Sequence, residues 1–483
     1  MGKKKWLILI LLLAAALRFY KLPDYLQFLG DQGRDVLVVK RMIVDHQWTL
    51  LGPTASVGGF YTGPIYYYFM LPFLWLWQLD PVGPAVMASL FGLGTIILLY
   101  YLTKLFVNEK VALIAAFLAA ISPKLIETSR FSWNPNPMPF FALLTVLLIY
   151  YAQERGKKVF SFLAGVSVGV MVQLHYIDLV FVPILGICLI LAIRNRQIFL
   201  HLLFAGLGIL FGNSLFLIFE IRHGFPNLRT VWEFVNRGSH TVGPRSFNPI
   251  ALYDDTTRRL FEAVLGFRGP ELLFFYYSSV VGFFIWALRN PKAKFLLVWF
   301  FVGILGIGSY RGQLLDHYFG YLFPLPIIFL AITSEYLLRK KILLPIFVIY
   351  LLALSIFQVK QMYFWYPPNN LVMQTQTVDK LVLNLAENKP YNFALLTFGN
   401  SDQAYRYFLE IWGQSPLTIL NPDLDPKRLT VAGQLIVVCE DANCKPLGNP
   451  LWEVAGFGRA EIVAQQDGPV GIKIFKLVHY KGK

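Results

Sequence analysis

The sequence predicts an all-α polytopic membrane domain followed by a small C-terminal α/β domain. Of the 483 residues, 56% are hydrophobic and 15% are charged, whereas soluble domains carry about 25% charged residues. The mean hydropathy is +0.54, and the apolar residues are gathered into long runs that stop near residue 360. This division predicts a membrane domain over residues 1–360 and a separate domain over residues 361–483.

The chain contains about eleven apolar runs that approach the length needed to cross a bilayer core of about 30 Å. They cover residues 6–20, 82–103, 111–123, 138–152, 159–175, 177–193, 198–219, 271–288, 295–309, 319–338 and 342–360. No clear small-residue cleavage site follows the first run, so we interpret it as an uncleaved helix and not as a signal peptide. We find no convincing internal repeat, which weakens a transporter built from inverted halves.

Basic clusters occupy every second connector and predict the orientation of the chain in the membrane. The clusters are Lys3/Lys4/Lys5, Lys104/Lys110, Arg155/Lys157/Lys158, Arg194/Arg196, Arg289/Lys292/Lys294 and Arg339/Lys340/Lys341. Eleven spans with a cytoplasmic N-terminus put all of them on the cytoplasmic side. The extracytoplasmic side then receives the loops 21–81, 124–137 and 220–270 and the tail. The net charge of +15 is therefore explained by topology, and we expect no nucleic-acid partner.

The tail has the pattern of a small α/β domain. The pattern predicts an amphipathic helix around Val378, Leu381, Val382 and Leu385, a strand at Asn392–Phe398, a helix at Asp402–Trp412, and strands at Gln434–Cys439 and Gly471–Val478. It shows no metal spacing, nucleophile elbow or phosphate loop, so a lid or acceptor-docking module is expected. Cys439 and Cys444 share one polar loop and can pair in an oxidising compartment, whereas Cys188 lies in an apolar run and is expected to be inert.

A charged motif, residues 29–35 (LGDQGRD), follows shortly after the first apolar run. A carboxylate there can take a proton, and an arginine three residues later can hold a phosphoryl oxygen with two hydrogen bonds. Asp31 is therefore a candidate catalytic base, and Arg34 and Asp35 are candidate substrate ligands. The alternative is a solvated loop start with a local Asp–Arg pair.

The rest of the first long loop offers a short helix and a cluster of tyrosines. Asp35–Ile43 has helical periodicity and is expected to lie along the membrane interface. Tyr61, which stands between glycine-containing turns, is a candidate contact for a sugar ring, and Tyr66 is a second candidate. For Tyr67 and Tyr68, interfacial anchoring is the competing interpretation.

Further polar residues stand in later connectors on the same side of the membrane. In the connector 127–137, Arg130 suits a phosphate and Asn134 suits a hydroxyl; the alternative is a proline-rich helix start capped by Asn134 or Asn136. Four more candidates come from two short polar insertions, and they are His175, Arg311, His317 and Tyr318. Ionisable groups near membrane depth indicate function by default. An ion pair of Asp316 with Arg311 is the structural alternative, and no ligand spacing supports a metal site.

Taken together, this organisation resembles the GT-C membrane glycosyltransferases, most closely the prokaryotic branch related to protein O-mannosyltransferases and aminoarabinose transferases. The resemblance covers residues 1–360 and is strongest at Asp31–Asp35, Phe60–Tyr68 and Arg130–Pro139. It implies a donor sugar on a polyprenyl phosphate. The family's presumed catalytic base maps to Asp31, and the arginine implied to contact the donor phosphate maps to Arg34.

Two departures from the family pattern affect the expected chemistry. The aminoarabinose branch has Glu-Lys-Pro where this chain has Thr62-Gly63-Pro64, so a suggested metal ligand and a phosphate-binding lysine are absent. The second external loop often has an aspartate where this chain has Asn134. We therefore expect no resident cofactor, although Asp31, Asp35 and the donor phosphate together can hold a divalent ion.

The sequence thus predicts an inverting glycosyltransferase of the cell membrane. It moves a sugar from a polyprenyl-phosphate donor to a glycan, lipid or protein hydroxyl on the extracytoplasmic face. One alternative is a transporter or flippase of lipid-linked saccharide, which needs charged residues deep in the spans. Another is a glycan polymerase or ligase, which usually has its catalytic centre in a late external loop such as 220–270.

Overall fold

The computed structural model describes residues 2–55, 58–237, 249–310, 314–339, 341–441 and 444–482. Most of them are helical. The helices are α1 Lys3–Phe19, α2 Gly30–Val44, α3 Ile65–Leu76, α4 Val82–Phe106, α5 Glu109–Ile121, α6 Pro123–Glu127, α7 Met138–Arg155, α8 Lys158–Leu174, α9 Phe181–Ala192, α10 Ile198–Gly212, α11 Ser214–Arg222, α12 Pro226–Arg237, α13 Pro249–Leu265, α14 Pro270–Ala287, α15 Ala293–Gly308, α16 Pro324–Arg339, α17 Leu344–Lys360, α18 Leu371–Ala386, α19 Gln403–Ile411 and α20 Trp452–Ala455. The strands are β1 Asn392–Leu396, β2 Gln434–Cys439, β3 Ala460–Asp467 and β4 Lys473–His479.

The chain forms two compact units. The membrane unit comprises residues 1–20, 47–73 and 84–367, and the tail unit comprises 21–46, 74–83 and 368–483. This division differs from the one expected from the sequence, which placed the whole first loop with the membrane domain. Two stretches of that loop instead belong to the same unit as the C-terminal sheet.

The membrane unit is a bundle of apolar helices. Among the described residues, three helices are long and apolar enough to cross a membrane, Val82–Phe106, Pro270–Ala287 and Lys341–Lys360, and two bent pairs bring the number to as many as five. One bent pair, Ile198–Gly212 with Ser214–Arg222, turns by 71° within the predicted span 198–219. The chain is thus a multi-pass membrane protein, while the count of eleven spans stays a prediction.

Small residues allow close helix packing between α8 and α10. A Cβ atom on Gly165 would lie 2.0 Å from the Ala205 carbonyl oxygen, and one on Gly208 would lie 2.1 Å from that of Phe162. Glycine lets two helix backbones approach where lipid-like surroundings provide no hydrophobic drive for association. The same bundle positions the connector residues that the sequence singled out.

The tail unit contains a four-stranded sheet of order β1-β2-β4-β3, in which β1 and β2 are parallel and the other pairs are antiparallel. The predicted helices and three predicted strands are confirmed to within a few residues, whereas β3 was not anticipated. Cys439 and Cys444 form a disulfide, and Cys188 is a buried free thiol.

In the same unit, α2 lies against α19 of the tail. The ring of Phe28 contacts those of Tyr407 and Phe408. Glu410 accepts hydrogen bonds from both Lys40 and Arg41. Partial burial opposes ionisation of Glu410, but these two hydrogen bonds hold its pKa below the usual range. The predicted helix Asp35–Ile43 is confirmed, and it begins five residues earlier, at Gly30.

Candidate functional site

The proposed catalytic residue lies in the first turn of α2. Leu29 precedes the helix in an extended conformation, and its backbone N–H donates to the side-chain oxygen of Gln32 at 3.1 Å. This bond fixes the direction in which the chain enters the helix. Asp31 follows immediately, and half of its side chain is exposed (50%). A solvent-accessible carboxylate at a helix start is available to accept a proton from a bound hydroxyl.

Arg34 lies one turn further along and is shared between two carboxylates. Its Nη1 donates to Oδ1 of Asp31 at 2.8 Å, and its Nε donates to Oδ1 of Asp35 at 2.9 Å. Asp35 is fully buried, so it holds the guanidinium from behind while Asp31 faces outward. The structure therefore brings together three residues that the sequence predicted to act together. Asp35 has no exposed surface for a substrate in this arrangement.

A hairpin-like loop in the membrane unit presents Tyr61. Backbone hydrogen bonds join Gly52 to Thr62 and Ala55 to Phe60. The Tyr61 backbone is held by Asn227 and Tyr176, whereas its side chain is 41% exposed. An aromatic ring on a fixed backbone suits stacking against a sugar, as the sequence indicated.

Thr62 and Gly63, where this chain differs from the Glu-Lys of the aminoarabinose branch, are packed tightly within this loop. Thr62 is buried and its hydroxyl donates to the Pro53 carbonyl at 3.0 Å. A Cβ atom on Gly63 would lie 2.3 Å from the side chain of Gln173. A glutamate and a lysine at these two positions would have no room for their side chains, so this loop is built without them.

Three other predicted ligands are buried and hydrogen-bonded to protein groups. The guanidinium of Arg130 donates to the carbonyls of Leu17, Arg18 and Tyr20 at 2.9, 2.7 and 2.6 Å. The amide of Asn134 donates to the Leu174 carbonyl at 2.6 Å, and the Tyr66 hydroxyl bonds to Ser132 at 2.8 Å. These contacts correspond to structural roles.

The capping alternative for this connector is wrong. Helix α7 begins at Met138 with Pro137 before it, and no side chain caps it. The amide of Asn136 instead donates back to the Phe131 carbonyl at 2.8 Å. Pro135 and Pro137 stiffen the chain before the helix, so the start of α7 needs no asparagine cap.

The structure assembles the predicted histidines and tyrosine into one aromatic cluster. The centroid of the His317 ring lies 4.6 Å from the ring centroid of Trp133, 5.5 Å from that of His175 and 4.5 Å from that of Tyr318. Nδ1 of His175 accepts the Ile177 N–H at 3.2 Å, so the ring's proton is on Nε2 when the residue is neutral. Arg311 lies outside the described residues.

Beside Asp316 the membrane unit has a cavity of about 570 Å³ whose lining is strongly charged. Its cations are Lys124, Arg259 and Arg268, and its carboxylates are Glu127, Glu262 and Asp316. Lys124 lies 3.2 Å from Glu127 and 3.6 Å from Asp316, and Arg268 pairs with Glu262. Asp316 thus pairs with Lys124, while the Arg311 partner considered from the sequence lies outside the described residues.

Sequence reasoning missed the cationic residues of this cavity and the tryptophan of the aromatic cluster. Lys124 directly follows the third apolar run, and Arg259 and Arg268 are two of several arginines in a long loop. Their number and sign were visible, but nothing in the spacing indicated that they converge. For metals, the described residues contain no group of three or more His, Cys, Asp or Glu side chains that could hold an ion.

Part of the chain is similar in sequence to a known protein family. Residues 62–218 match the family described as dolichyl-phosphate-mannose-protein mannosyltransferase, about a third of the chain. No curated protein matches by sequence.

Among solved structures, ArnT from Cupriavidus metallidurans bound to undecaprenyl phosphate superposes with a TM-score of 0.66 at 12% identity, covering 98% of both chains. The Archaeoglobus fulgidus oligosaccharyltransferase complex with Zn and sulfate gives 0.56 at 15% identity, covering 89% of this chain and 67% of that one. The oligosaccharyltransferase AglB from Archaeoglobus fulgidus, with an inhibitory peptide and a dolichol-phosphate, gives 0.54 at 14% identity, covering 90% of this chain and 69% of that one.

At these identities the solved structures show the fold alone, which agrees with the apolar helices and the C-terminal sheet described above. The family match begins in the first long loop and covers α3 to α10 and part of α11. Residues 62–218 thus resemble the mannosyltransferase family by sequence, and the chain as a whole shares the fold of the ArnT and oligosaccharyltransferase structures.

Proposed function

We propose that the chain is an inverting glycosyltransferase that moves a sugar from a polyprenyl-phosphate donor to an acceptor hydroxyl on the extracytoplasmic face. The observation that carries this proposal is the exposed carboxylate of Asp31, oriented by Arg34 in the first turn of α2. A base in that setting matches the chemistry of sugar transfer to a hydroxyl.

The donor class is supported by the comparisons. The ArnT structure was bound to undecaprenyl phosphate and the AglB structure to a dolichol-phosphate. Both ligands combine a long apolar chain with a phosphate. A donor of this kind reaches an enzyme only through the membrane, which accounts for the multi-pass fold.

The proposed reaction is a single displacement. Asp31 takes the proton of the acceptor hydroxyl as the acceptor oxygen forms a bond to the anomeric carbon. The bond between that carbon and the phosphate oxygen breaks from the opposite face, and the electron pair leaves with the lipid phosphate. The anomeric configuration is inverted, and the proton stays on Asp31 until it is released to water. General base catalysis of this type contributes about 10²- to 10⁴-fold.

Charge that develops on the leaving phosphate needs cationic partners. Arg34 is the first candidate because its guanidinium can exchange a carboxylate oxygen for a phosphoryl oxygen in the same planar geometry. Within the membrane unit alone, the cavity lined by Lys124, Arg259 and Arg268 has the charge to hold an anion.

Replacement of Asp31 tests the proposal. We expect Asp31→Asn to lower transfer from polyprenyl-phosphate sugars by at least about 100-fold, because the base is lost while shape is kept. Transfer of a radiolabelled sugar by purified protein is the measurement. Asp45→Asn, at the other end of the same helix, is the matched control and should retain activity. An Asp31→Asn enzyme that keeps more than about a tenth of the wild-type rate contradicts the assignment of Asp31 as base.

We further propose that transfer needs no resident metal. In this arrangement Asp35 is buried against Arg34, and Thr62-Gly63 has no carboxylate. Transfer is expected to continue after exhaustive EDTA treatment, measured with and without added Mg²⁺, Mn²⁺ or Zn²⁺. Full loss that one ion restores would overturn this expectation, and Asp35 would then be the first ligand to test, since Mg²⁺ often needs only one or two carboxylates plus phosphate oxygens.

A further inference from the structure

The start of α2 is held by the tail unit, and glycines make this close contact possible. A Cβ atom on Gly30 would lie 2.0 Å from the Ser401 hydroxyl oxygen, and one on Gly33 would lie 2.3 Å from the Ala404 backbone nitrogen. No larger residue fits at either position without movement of the α19 start. Asp31 and Arg34 each follow one of these two glycines directly. Along this turn, residues that pack on the tail therefore alternate with residues of the proposed catalytic site.

The first backbone N–H of α2, that of Gly30, donates its hydrogen bond to Asn400, which lies 370 positions further along the chain. The N-terminal N–H groups of a helix have no partner within the helix, and a side chain just before the helix usually provides one. The side chain of Leu29, which precedes α2, has no oxygen that could accept this bond. Instead, the side-chain oxygen of Asn400 accepts the Gly30 N–H at 2.9 Å, and it also accepts the Ser401 N–H at 2.8 Å.

Asn400 is itself oriented by Glu440. Its amide nitrogen lies 3.3 Å from both carboxylate oxygens of Glu440. Glu440 also accepts the hydroxyls of Thr397 at 2.6 Å and Tyr405 at 2.8 Å, and its backbone N–H donates to the Leu396 carbonyl at 3.0 Å. The carboxylate therefore sits where β1 and β2 end, and it fixes which way the Asn400 amide faces.

We propose that Asn400, oriented by Glu440, is a positioning residue for Asp31, and that the tail serves as the rigid support of the catalytic helix. The inference rests on the proposed function of Asp31. A path of two hydrogen bonds leads from the sheet to the residue that precedes Asp31. Small displacements of a catalytic group of about 1 Å can cost about 100-fold in rate.

Substitutions can exchange donor and acceptor in the hydrogen bond between Asn400 and Glu440, and this exchange tests the proposal. In Asn400→Asp two carboxylates face each other, whereas in Glu440→Gln the new amide can still turn its oxygen toward the Asn400 amide. The double variant Asn400→Asp/Glu440→Gln restores a donor opposite an acceptor and leaves a carboxylate oxygen for the Gly30 N–H. We expect Asn400→Asp and Asn400→Ala to lower kcat about 10- to 100-fold, and Glu440→Gln to have a much smaller effect. The donor KM should stay within about twofold, because the loss affects the transition state.

Recovery of kcat in the double variant to within about threefold of wild type is the result that supports positioning. Asn392→Ala is the control for general damage to the tail. Asn392 is buried, and its side chain donates to the carbonyls of Leu417 and Thr430 and accepts the Ala432 N–H. Assayed below its melting temperature, it should retain the wild-type kcat.

Hydrogen exchange gives a readout that is independent of activity. Amides at the start of α2, residues 30–37, should exchange faster in Asn400→Ala than in wild type, and should be unchanged in Asn392→Ala. Unchanged exchange in Asn400→Ala, a wild-type kcat in that variant, an equal loss in Asn392→Ala, or a double variant no better than Asn400→Asp alone overturns the inference. An Asp31→Asn enzyme with wild-type activity would instead overturn the proposed function, and the exchange measurement would still decide whether Asn400 holds α2.

Discussion

Arg34 is bound by carboxylates on two sides, and this arrangement determines how it can act. Asp35 holds the guanidinium from a fully buried position, whereas the contact with Asp31 is partly exposed. A phosphate that approaches Arg34 can replace the exposed contact and keep the buried one. The same step would free Asp31 to accept a proton. The pair is therefore suited to couple donor binding to release of the base.

We predict that Arg34→Lys weakens donor binding and slows transfer, though less severely than Asp31→Asn. Lysine keeps the charge but loses the planar donor geometry that contacts both carboxylates. The donor KM, measured with a polyprenyl-phosphate sugar, should rise about tenfold or more, by analogy with loss of a charge-assisted hydrogen bond. Arg41→Lys is the control on the same helix, since Arg41 pairs with Glu410. Unchanged donor affinity in Arg34→Lys would mean that Arg34 only orients Asp31.

At this scale the sequence-based candidates differ in whether a ligand could reach them. Asp31 and Tyr61 have exposed surface, and Arg34 contacts Asp31, so their proposed roles stay predictions that the geometry allows. Arg130 looked equally suitable, yet its guanidinium is directed to the carbonyls at the end of α1. A polar side chain beside a membrane helix looks the same in sequence whether it binds a ligand or satisfies distant carbonyls. Only the fold shows which carbonyls come near.

At the scale of elements, the tail shows which patterns can be interpreted from sequence. Strand β2 was predicted with both ends correct because it is a continuous apolar run, fully buried. Strand β3 was missed because it lies at the sheet edge with mostly exposed residues and has a bulge between Ile462 and Ala464. An edge strand that buries little apolar surface gives no clear alternation.

Helix α18 contains a buried acid that makes the tail's stability depend on pH. Asp379 is fully buried in the α18 face that packs on the sheet, and neither oxygen has a hydrogen-bond partner among the described residues. Burial raises the pKa of Asp379 well above the usual range. The unfolded chain loses this proton near pH 4, so above that pH the folded state holds more protons than the unfolded state. Stability contributed by this group therefore falls as pH rises.

We predict that Asp379→Asn raises the melting temperature of the full-length protein at pH 7 and has little effect at pH 4. The amide is neutral at both pH values, so it removes the cost of keeping a buried acid protonated. A gain of about 1 kcal/mol corresponds to roughly 2–4 °C for a domain of this size range. Thermal unfolding of both proteins in detergent across pH 4–8 is the measurement. A difference that is the same at every pH would show that Asp379 does not titrate in this way.

At the scale of the whole molecule, the tail unit is assembled from segments that are far apart in the chain. Phe28 packs on Tyr407 and Phe408, and Asn400 caps α2. The sequence separated the membrane part from the tail because hydropathy changes near residue 360. It could not show that the first loop joins the tail, since that depends on contacts between side chains hundreds of residues apart.

The orientation of the tail depends on the number of complete spans, and α5 is the critical helix. At 13 residues, α5 is only about 20 Å long, shorter than the ~30 Å core. If its region nevertheless crosses, the basic clusters alternate correctly and the C-terminus is extracytoplasmic. The disulfide between Cys439 and Cys444 is compatible with that side.

We predict that a reporter active only in the cytoplasm stays silent when it is fused after residue 483. The same reporter inserted after Gly156, beside the basic cluster that follows α7, should be active because positive connectors stay inside. The second fusion is essential because it separates a miscount before α7 from one after it. An active C-terminal fusion together with an active Gly156 fusion would locate the error after α7. An active C-terminal fusion with a silent one at Gly156 would locate it at or before α7, and an error at or before α5 would reverse the side proposed for the connector 124–137.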